Sequence, residues 1–275
     1  MTTGARIATL LSPRRLGWTA LATFSVLVLI FLLLPIAVVV IEAFNSSELM
    51  TFPPPGLSLR WFGAFFADDQ FMRALWVSLK LGVISAAIST AVGTAAGLGL
   101  ARRAAGSAFI QTSLMAPLYV PRVLIGLSLL LAFAWLNLSG DLWGLILGHV
   151  LITMPYATRT AVVGLRAVDP SVEEAARMLG ADRWQTFRLV TLPIIRSAVL
   201  SGFIFALIIS FSDIYLALFI SGPQTVTLPL RLFTFMEWDQ SPLVAAASTV
   251  QIALILGVIL LTGRLFGATS PGRAE

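Results

Sequence analysis

Apolar residues in this chain fall in long runs, not at the alternating or 3.6-residue spacing of a water-soluble fold. Runs at about 17–41, 74–100, 111–136, 142–165, 197–221 and 243–266 each reach the roughly 20 apolar residues a helix needs to cross a bilayer. The pattern predicts an all-α polytopic membrane protein of six transmembrane helices. Turn-rich polar segments lie between them. Segment 42–73 holds Pro53, Pro54, Pro55 and Gly56, a stretch that no lipid-exposed span tolerates. Segment 166–196 is the most charged of the chain, and 222–242 is a shorter polar connection.

The first run has 25 uncharged residues after Arg6, Arg14 and Arg15. A cleaved signal peptide has a shorter apolar region of about 7–15 residues, so the run is expected to be an uncleaved first span. It is rich in Leu, Val and Ile and should face lipid. The second run instead collects Gly93, Gly97 and Gly99 with Ala86, Ala87, Ala91, Ala95 and Ala96. Small residues let helix backbones approach closely in lipid, so this span should pack against other helices.

Charge sets the expected orientation. With the N-terminus inside, the cytoplasmic side collects Arg6, Arg14, Arg15, Arg102, Arg103, Arg166, Arg177, Arg183, Arg188, Arg196, Arg264 and Arg273. The outer loops hold only Arg60, Arg73 and Arg231. By the positive-inside rule both termini of this multi-pass protein are expected to be cytoplasmic. Three sections follow: 1–72 (N-terminal segment, first helix, external loop), 73–266 (the membrane domain), and a cytoplasmic tail at 267–275.

Composition narrows the chemistry. The chain is 58% hydrophobic and 11% charged, against about 45–50% and 25% in soluble domains, so its main partner is membrane lipid. The net charge of +5 is spread between apolar spans, which argues against nucleic acid. There is no cysteine, and His149 is the sole histidine, so thiolate sites and multi-histidine metal centres are excluded. No catalytic residue, bound cofactor or metal site is expected.

Segment 169–193 carries the clearest local punctuation. Asp169 can cap a helix with Pro170 at its first position, while Ser171 and Glu174 offer a competing capping box. Gly180 suits a left-handed stop. Asp182 and Gln185 open a second short helix over about 183–190, which Leu192-Pro193 should end before the fifth span. The result is a helix, a tight glycine turn and a helix between the fourth and fifth spans.

Glu174-Ala175-Ala176, three residues, Gly180, nine residues, Val190, one residue and Leu192-Pro193 resemble the EAA loop of ABC importer permeases, in spacing and in place. The run from about Arg73 to Phe266 is similar to the membrane domain of type I importers. Phe44-Asn45-Ser46-Ser47, Ser210-Phe211-Ser212-Asp213, Gly222-Pro223 and Thr227-Leu228-Pro229 look like the spermidine/putrescine branch, although that branch carries two acidic residues where this chain has Ser212-Asp213. The resemblance implies that Glu173, Glu174, Ala175, Ala176, Leu179, Gly180, Ala181, Leu192 and Pro193 couple the chain to an ATPase. It implies as partners a second, distinct permease, two ATPase subunits and a periplasmic solute-binding protein. ATP and Mg²⁺ belong to the ATPases, because this chain has no G-x-x-x-x-G-K-[ST] loop. The implied cargo is a small polar solute, polyamine-like or otherwise amine-bearing, or alternatively a zwitterion or anion such as an amino acid or aminophosphonate.

Charged residues at membrane depth are costly and mark functional candidates. Asp213 in the fifth span can meet a cationic cargo group or pair with Arg159 or Lys80. Arg122 follows Pro117 and Pro121, where the third span should break; it can meet a carboxylate or phosphonate, or pair with Asp213. Ser212, Tyr215, Phe219 and Trp143 are further path candidates, and Trp135, Trp143 and Trp238 suit an interfacial belt. His149 reads as a packed, hydrogen-bonded histidine more than as a proton relay. An ion-coupled secondary transporter is the competing class, but it calls for inverted repeats, which this sequence does not display, and for coupling carboxylates, for which only Asp213 and the borderline Asp141 qualify.

Overall fold

The computed structural model describes residues 13–102 and 107–267. Arg6, Arg103, Arg273 and nearly all of the proposed tail lie outside the described residues. Within them the regular structure is helical, in the order α1 (Pro13–Glu42), α2 (Arg60–Ala67), α3 (Asp69–Ala101), α4 (Ser107–Met115) with a 3₁₀ turn (Ala116–Leu118), and α5 (Arg122–Leu136). Next come α6 (Leu142–Arg166), α7 (Pro170–Met178), α8 (Arg183–Thr186) with a π-helical turn (Phe187–Thr191), and α9 (Leu192–Phe211). The chain closes with α10 (Tyr215–Ile220), α11 (Leu228–Met236) and α12 (Leu243–Gly267).

Among the described residues, five helical stretches are long and apolar enough to span a membrane: Trp18–Glu42, Asp69–Ala101, Leu142–Arg166, Arg183–Phe211 and Leu243–Arg264. A further apolar pair, Ala108–Leu118 and Arg122–Leu136, meets at 100° and makes a sixth candidate span if taken as one broken helix. The break falls where Pro117 and Pro121 withhold backbone N–H groups and disfavour helix in the residues before them. As expected, α1 is exposed from Trp18 to Ala37.

Three expected boundaries change. The second span begins at Asp69, not near Ala74, because the Asp68 carboxylate accepts from the N–H groups of Gln70 and Phe71 at 2.7 and 3.0 Å and starts the helix early. Leu192-Pro193 does not end a helix. The chain widens into π geometry at Phe187–Thr191, where the Leu192 N–H bonds Phe187 carbonyl, and continues into α9. The wide turn lets the helix absorb a proline that lacks its own N–H. The expected fifth span, 197–221, stops at Phe211 and resumes as α10 after a break at Ser212–Ile214.

The chain divides into two units, 1–65 with 240–250 and 66–239 with 251–275. In the first, Ala43, Ala245 and Ala246 pack with Phe44, Trp61 and Phe62. The buried Asn45 amide donates to Glu42 Oε2 at 2.9 Å and to the Thr51 carbonyl at 3.2 Å, so this residue of the Phe44–Ser47 motif ties the turn that follows to the end of α1.

The second unit is built on α3, α6 and α9. A Cβ at Gly93 would lie 2.8 Å from the Thr158 backbone nitrogen, so α3 meets α6 backbone to backbone. Hydroxyls fill the seam. Ser89 and Thr153 lie 2.7 Å apart, Thr153 donates to the His149 carbonyl at 2.7 Å, and His149 Nδ1 lies 2.8 Å from Ser210 Oγ. Small residues and interhelical hydroxyl bonds are how helices associate when lipid removes the hydrophobic incentive. Beside the seam, α5 and α10 pack through Ile125, Phe133, Leu216 and Ile220.

Candidate coupling loop and intramembrane ion pair

The α7–α8 loop is fixed by its own side chains. Asp169 caps α7, its carboxylate accepting from the Ser171 N–H at 2.9 Å. That bond, backed by the Ser171 hydroxyl, holds the Asp169 carboxyl below its ordinary pKa. The competing Ser171–Glu174 box does not form, since Pro170 occupies the first helical position behind Asp169. At the other end Ala181 N–H bonds Ala176 carbonyl and Gly180 N–H bonds Arg177 carbonyl, at 3.1 and 3.0 Å. This is a Schellman closure with Gly180 at φ +90°, where a Cβ would be strained. Asp182 and Gln185 then form the reciprocal box, at 2.8 and 2.9 Å.

Tertiary anchoring comes from Glu173. Its Oε2 receives Arg102 Nη2 at 2.9 Å and Arg177 Nη2 at 3.3 Å, and its Oε1 accepts from Thr191 Oγ1 at 2.7 Å. One carboxylate therefore joins the end of α3, α7 itself and the π turn that enters α9. Arg177, four residues after Glu173, is readable as a helical pair; Arg102 and Thr191 give no signal in sequence. Glu174 and Ala175 face outward, and Ala176 and Ala181 are half-buried. Leu192 is half-buried and Pro193 exposed on the first turn of α9. Met178 and Leu179 are 84% and 90% exposed, and Val172, Trp184 and Leu189 add to the apolar surface.

Between the ends of two apolar helices the structure brings Arg122 and Asp213 together. Arg122 opens α5 just past the 100° break, and its Nη1 lies 3.1 Å from Asp213 Oδ1. Asp213 sits in the break between α9 and α10, one residue before the Ile214 N-cap, and its Oδ2 accepts the Leu216 N–H of the first turn of α10 at 2.8 Å. Lys80 and Arg159 are exposed and make no ion pair with it. Asp213 has 0% of its side chain exposed, Arg122 37%. Ser212 and Tyr215 flank Asp213 and are exposed, and Phe219 is half-buried one turn on. Trp143 begins α6, beyond the far end of α5, about 20 Å of helix from Arg122. His149 is fully buried, its Nε2 without a partner. Among the described residues no group of His, Asp and Glu could hold a metal ion.

Known proteins share this organisation. A sequence model for the family described as "Binding-protein-dependent transport system inner membrane component" matches residues 88–272. The chain belongs to that family. It is thus an inner-membrane permease subunit of an ABC importer, a transport subunit and not an enzyme, whose ATPase is a separate polypeptide. The permease is 37% identical over 244 residues to the putrescine transport system permease protein PotI of Escherichia coli (strain K12), covering 85% of this chain and 84% of that one. The spermidine/putrescine transport system permease protein PotC of the same strain is 28% identical over 231 residues, covering 84% and 87%. A putative 2-aminoethylphosphonate transport system permease protein, PhnV of Salmonella typhimurium, is 26% identical over 244 residues, covering 88% and 91%. The permease fold matches a bacterial ABC transporter involved in the import of alginate, with TM-score 0.74 and 16% identity over 97% of this chain and 100% of that one. The MetNI methionine transporter gives TM-score 0.64 at 16% identity, over 74% and 100%.

Proposed function

We propose that this permease pairs with a second, non-identical permease to form the path of an importer driven by two ATPase subunits and supplied by a periplasmic binding protein. The observation that carries the reading is the α7–α8 loop. Its inner side is clamped by Glu173, while Met178 and Leu179 stand almost fully in the open. An exposed apolar surface on a rigid support is a docking surface, and a groove on an ATPase is its proposed partner. Glu174, Ala175, Ala176, Gly180 and Ala181 form the contact, and Leu192 and Pro193 carry the motion into α9. ATP and Mg²⁺ bind the partner ATPases. The arginines at 102, 166, 177, 183, 188 and 196 support a cytoplasmic position for the loop and both termini.

The proposed cargo is a small amine-bearing solute, which the likeness to PotI and PotC supports. A zwitterionic or anionic cargo is a second reading, favoured by the Arg122 side chain being part-exposed while Asp213 is sealed, and by the likeness to PhnV. Ser212, Tyr215, Phe219 and Trp143 complete the proposed path. The test is to purify the assembled complex with its binding protein and identify the bound molecule by mass spectrometry. An amine without an acidic group supports the first reading, an amine with one the second. A complex that recovers no ATPase overturns both.

A further inference from the structure

The start of α3 and the segment leading into α11 enclose a cavity of about 270 Å³ lined by Gln70, Arg73, Gln224 and Arg231. Among the described residues neither arginine has a carboxylate partner. Arg73 Nε donates to the Asp69 carbonyl at 3.2 Å, which leaves the rest of its guanidinium free for the cavity. Arg231 lies with its guanidinium carbon 5.5 Å from the centroid of the Phe71 ring, and its Nε is buried with no acceptor. Arg231 and Arg73 both line the cavity, so an acceptor that enters it meets two guanidinium groups without a carboxylate. Two guanidinium groups beside two amides suit a carboxylate, which takes paired N–H donors from arginine.

The walls are held before anything binds. Gly222 N–H donates to Thr225 Oγ1 at 2.7 Å, and the Leu228 N–H donates to Ser78 Oγ at 2.8 Å. The first bond closes the 222–225 turn on itself, and the second ties Leu228 to α3. Preorganised walls lower the entropy lost on docking. Gln70, Pro223 and Gln224 at the cavity are exposed or half-buried, and such a polar rim favours a protein surface over acyl chains. We infer that this cavity receives an acidic side chain of the soluble binding protein when that protein docks. The inference rests on the proposed orientation, which puts the start of α3 on the outer side.

The experiment uses the complete importer in nanodiscs of phosphatidylcholine alone and measures capture of its cognate binding protein by surface plasmon resonance. Arg73→Gln and Arg231→Gln should each weaken capture about tenfold or more, with Arg231→Lys losing less. Capture by the unmutated complex should weaken as NaCl is raised, a readout that does not depend on any variant assembling. Unchanged affinity in both glutamine variants, or salt-independent capture, overturns the inference. A loss that emerges only in nanodiscs containing phosphatidylglycerol also overturns it and assigns the cavity to a lipid phosphate. Failure of the orientation shows separately, as a reporter at Gln224 that reads cytoplasmic.

Discussion

Arg122 Nη1 and Asp213 Oδ1 lie 3.1 Å apart across two helix breaks, one before α5 and one before α10. The pair is lopsided. Asp213 has no exposed side-chain surface, whereas 37% of the Arg122 side chain is open.

Removing Arg122 should therefore cost more than removing the charge of Asp213. Arg122→Gln strands a sealed carboxylate with only the Leu216 N–H for support, at a cost of about 3 kcal/mol. Asp213→Asn keeps an acceptor for that N–H and leaves an arginine able to turn outward. Membrane abundance of the two single variants and the double variant checks this. Recovery of abundance and transport in the double variant assigns the pair to structure. Normal abundance with impaired uptake in each single variant assigns it to the cargo path.

Glu173→Ala should release α7 from α3 and from the π turn together, costing about 1–3 kcal/mol for the charged hydrogen bonds lost. Glu174→Ala should leave the loop ordered. Hydrogen exchange across 170–191 distinguishes them: faster exchange in Glu173→Ala and little change in Glu174→Ala. Equal protection in both would remove the clamp from the account.

Gly180 stands at φ +90°, and a methyl group added there would meet no neighbour within 4 Å, so backbone strain alone decides its substitutions. Gly180→Val should cost at least about 1–2 kcal/mol and impair ATP-coupled transport in a subunit that still inserts. Gly180→Asn should be tolerated, because asparagine visits the left-handed region. Coupled uptake at matched abundance is the measurement, and normal uptake by the valine variant counts against the turn.

Packing between α3 and α6 gives a further contrast. Gly93→Ala drives a methyl group against the α6 backbone and should cost about 1–3 kcal/mol. Gly99→Ala, which meets nothing within 4 Å, should be near neutral. Detergent-solubilised thermal stability reads both.

The two glycines also show what sequence can and cannot supply. The six apolar runs, the Asp169 and Asp182 caps, the Gly180 stop and the proline break before Arg122 are legible, because each is decided within a few residues by hydrogen-bond inventory or backbone sterics. Gly93, Gly97 and Gly99 look alike in sequence, yet only Gly93 and Gly97 face α6; facing is settled by the partner helix. Glu173 outranks Glu174 as the anchor for the same reason, since Arg102 and Thr191 reach it from 71 and 18 residues away. The end of the fifth span is illegible because Ser212–Ile214 holds neither glycine nor proline. Its break is set by Asp213 turning to Arg122 and to the α10 N–H.

The uninterrupted run from Arg183 to Phe211 has a mechanical consequence. Its 29 residues make a rod about 40 Å long, and pivoting it by about 10° at its middle sends its two tips about 4 Å in opposite directions. One tip carries Trp184, beside α7; the other ends two residues short of Asp213. A swing of that size exceeds the reach of a 3.1 Å ion pair, so Arg122 must either let go or drag α5 along. If the α7–α8 loop passes ATPase motion to this rod, the Arg122 guanidinium and the packing of Ile125 and Phe133 on Leu216 and Ile220 together decide how far α5 follows.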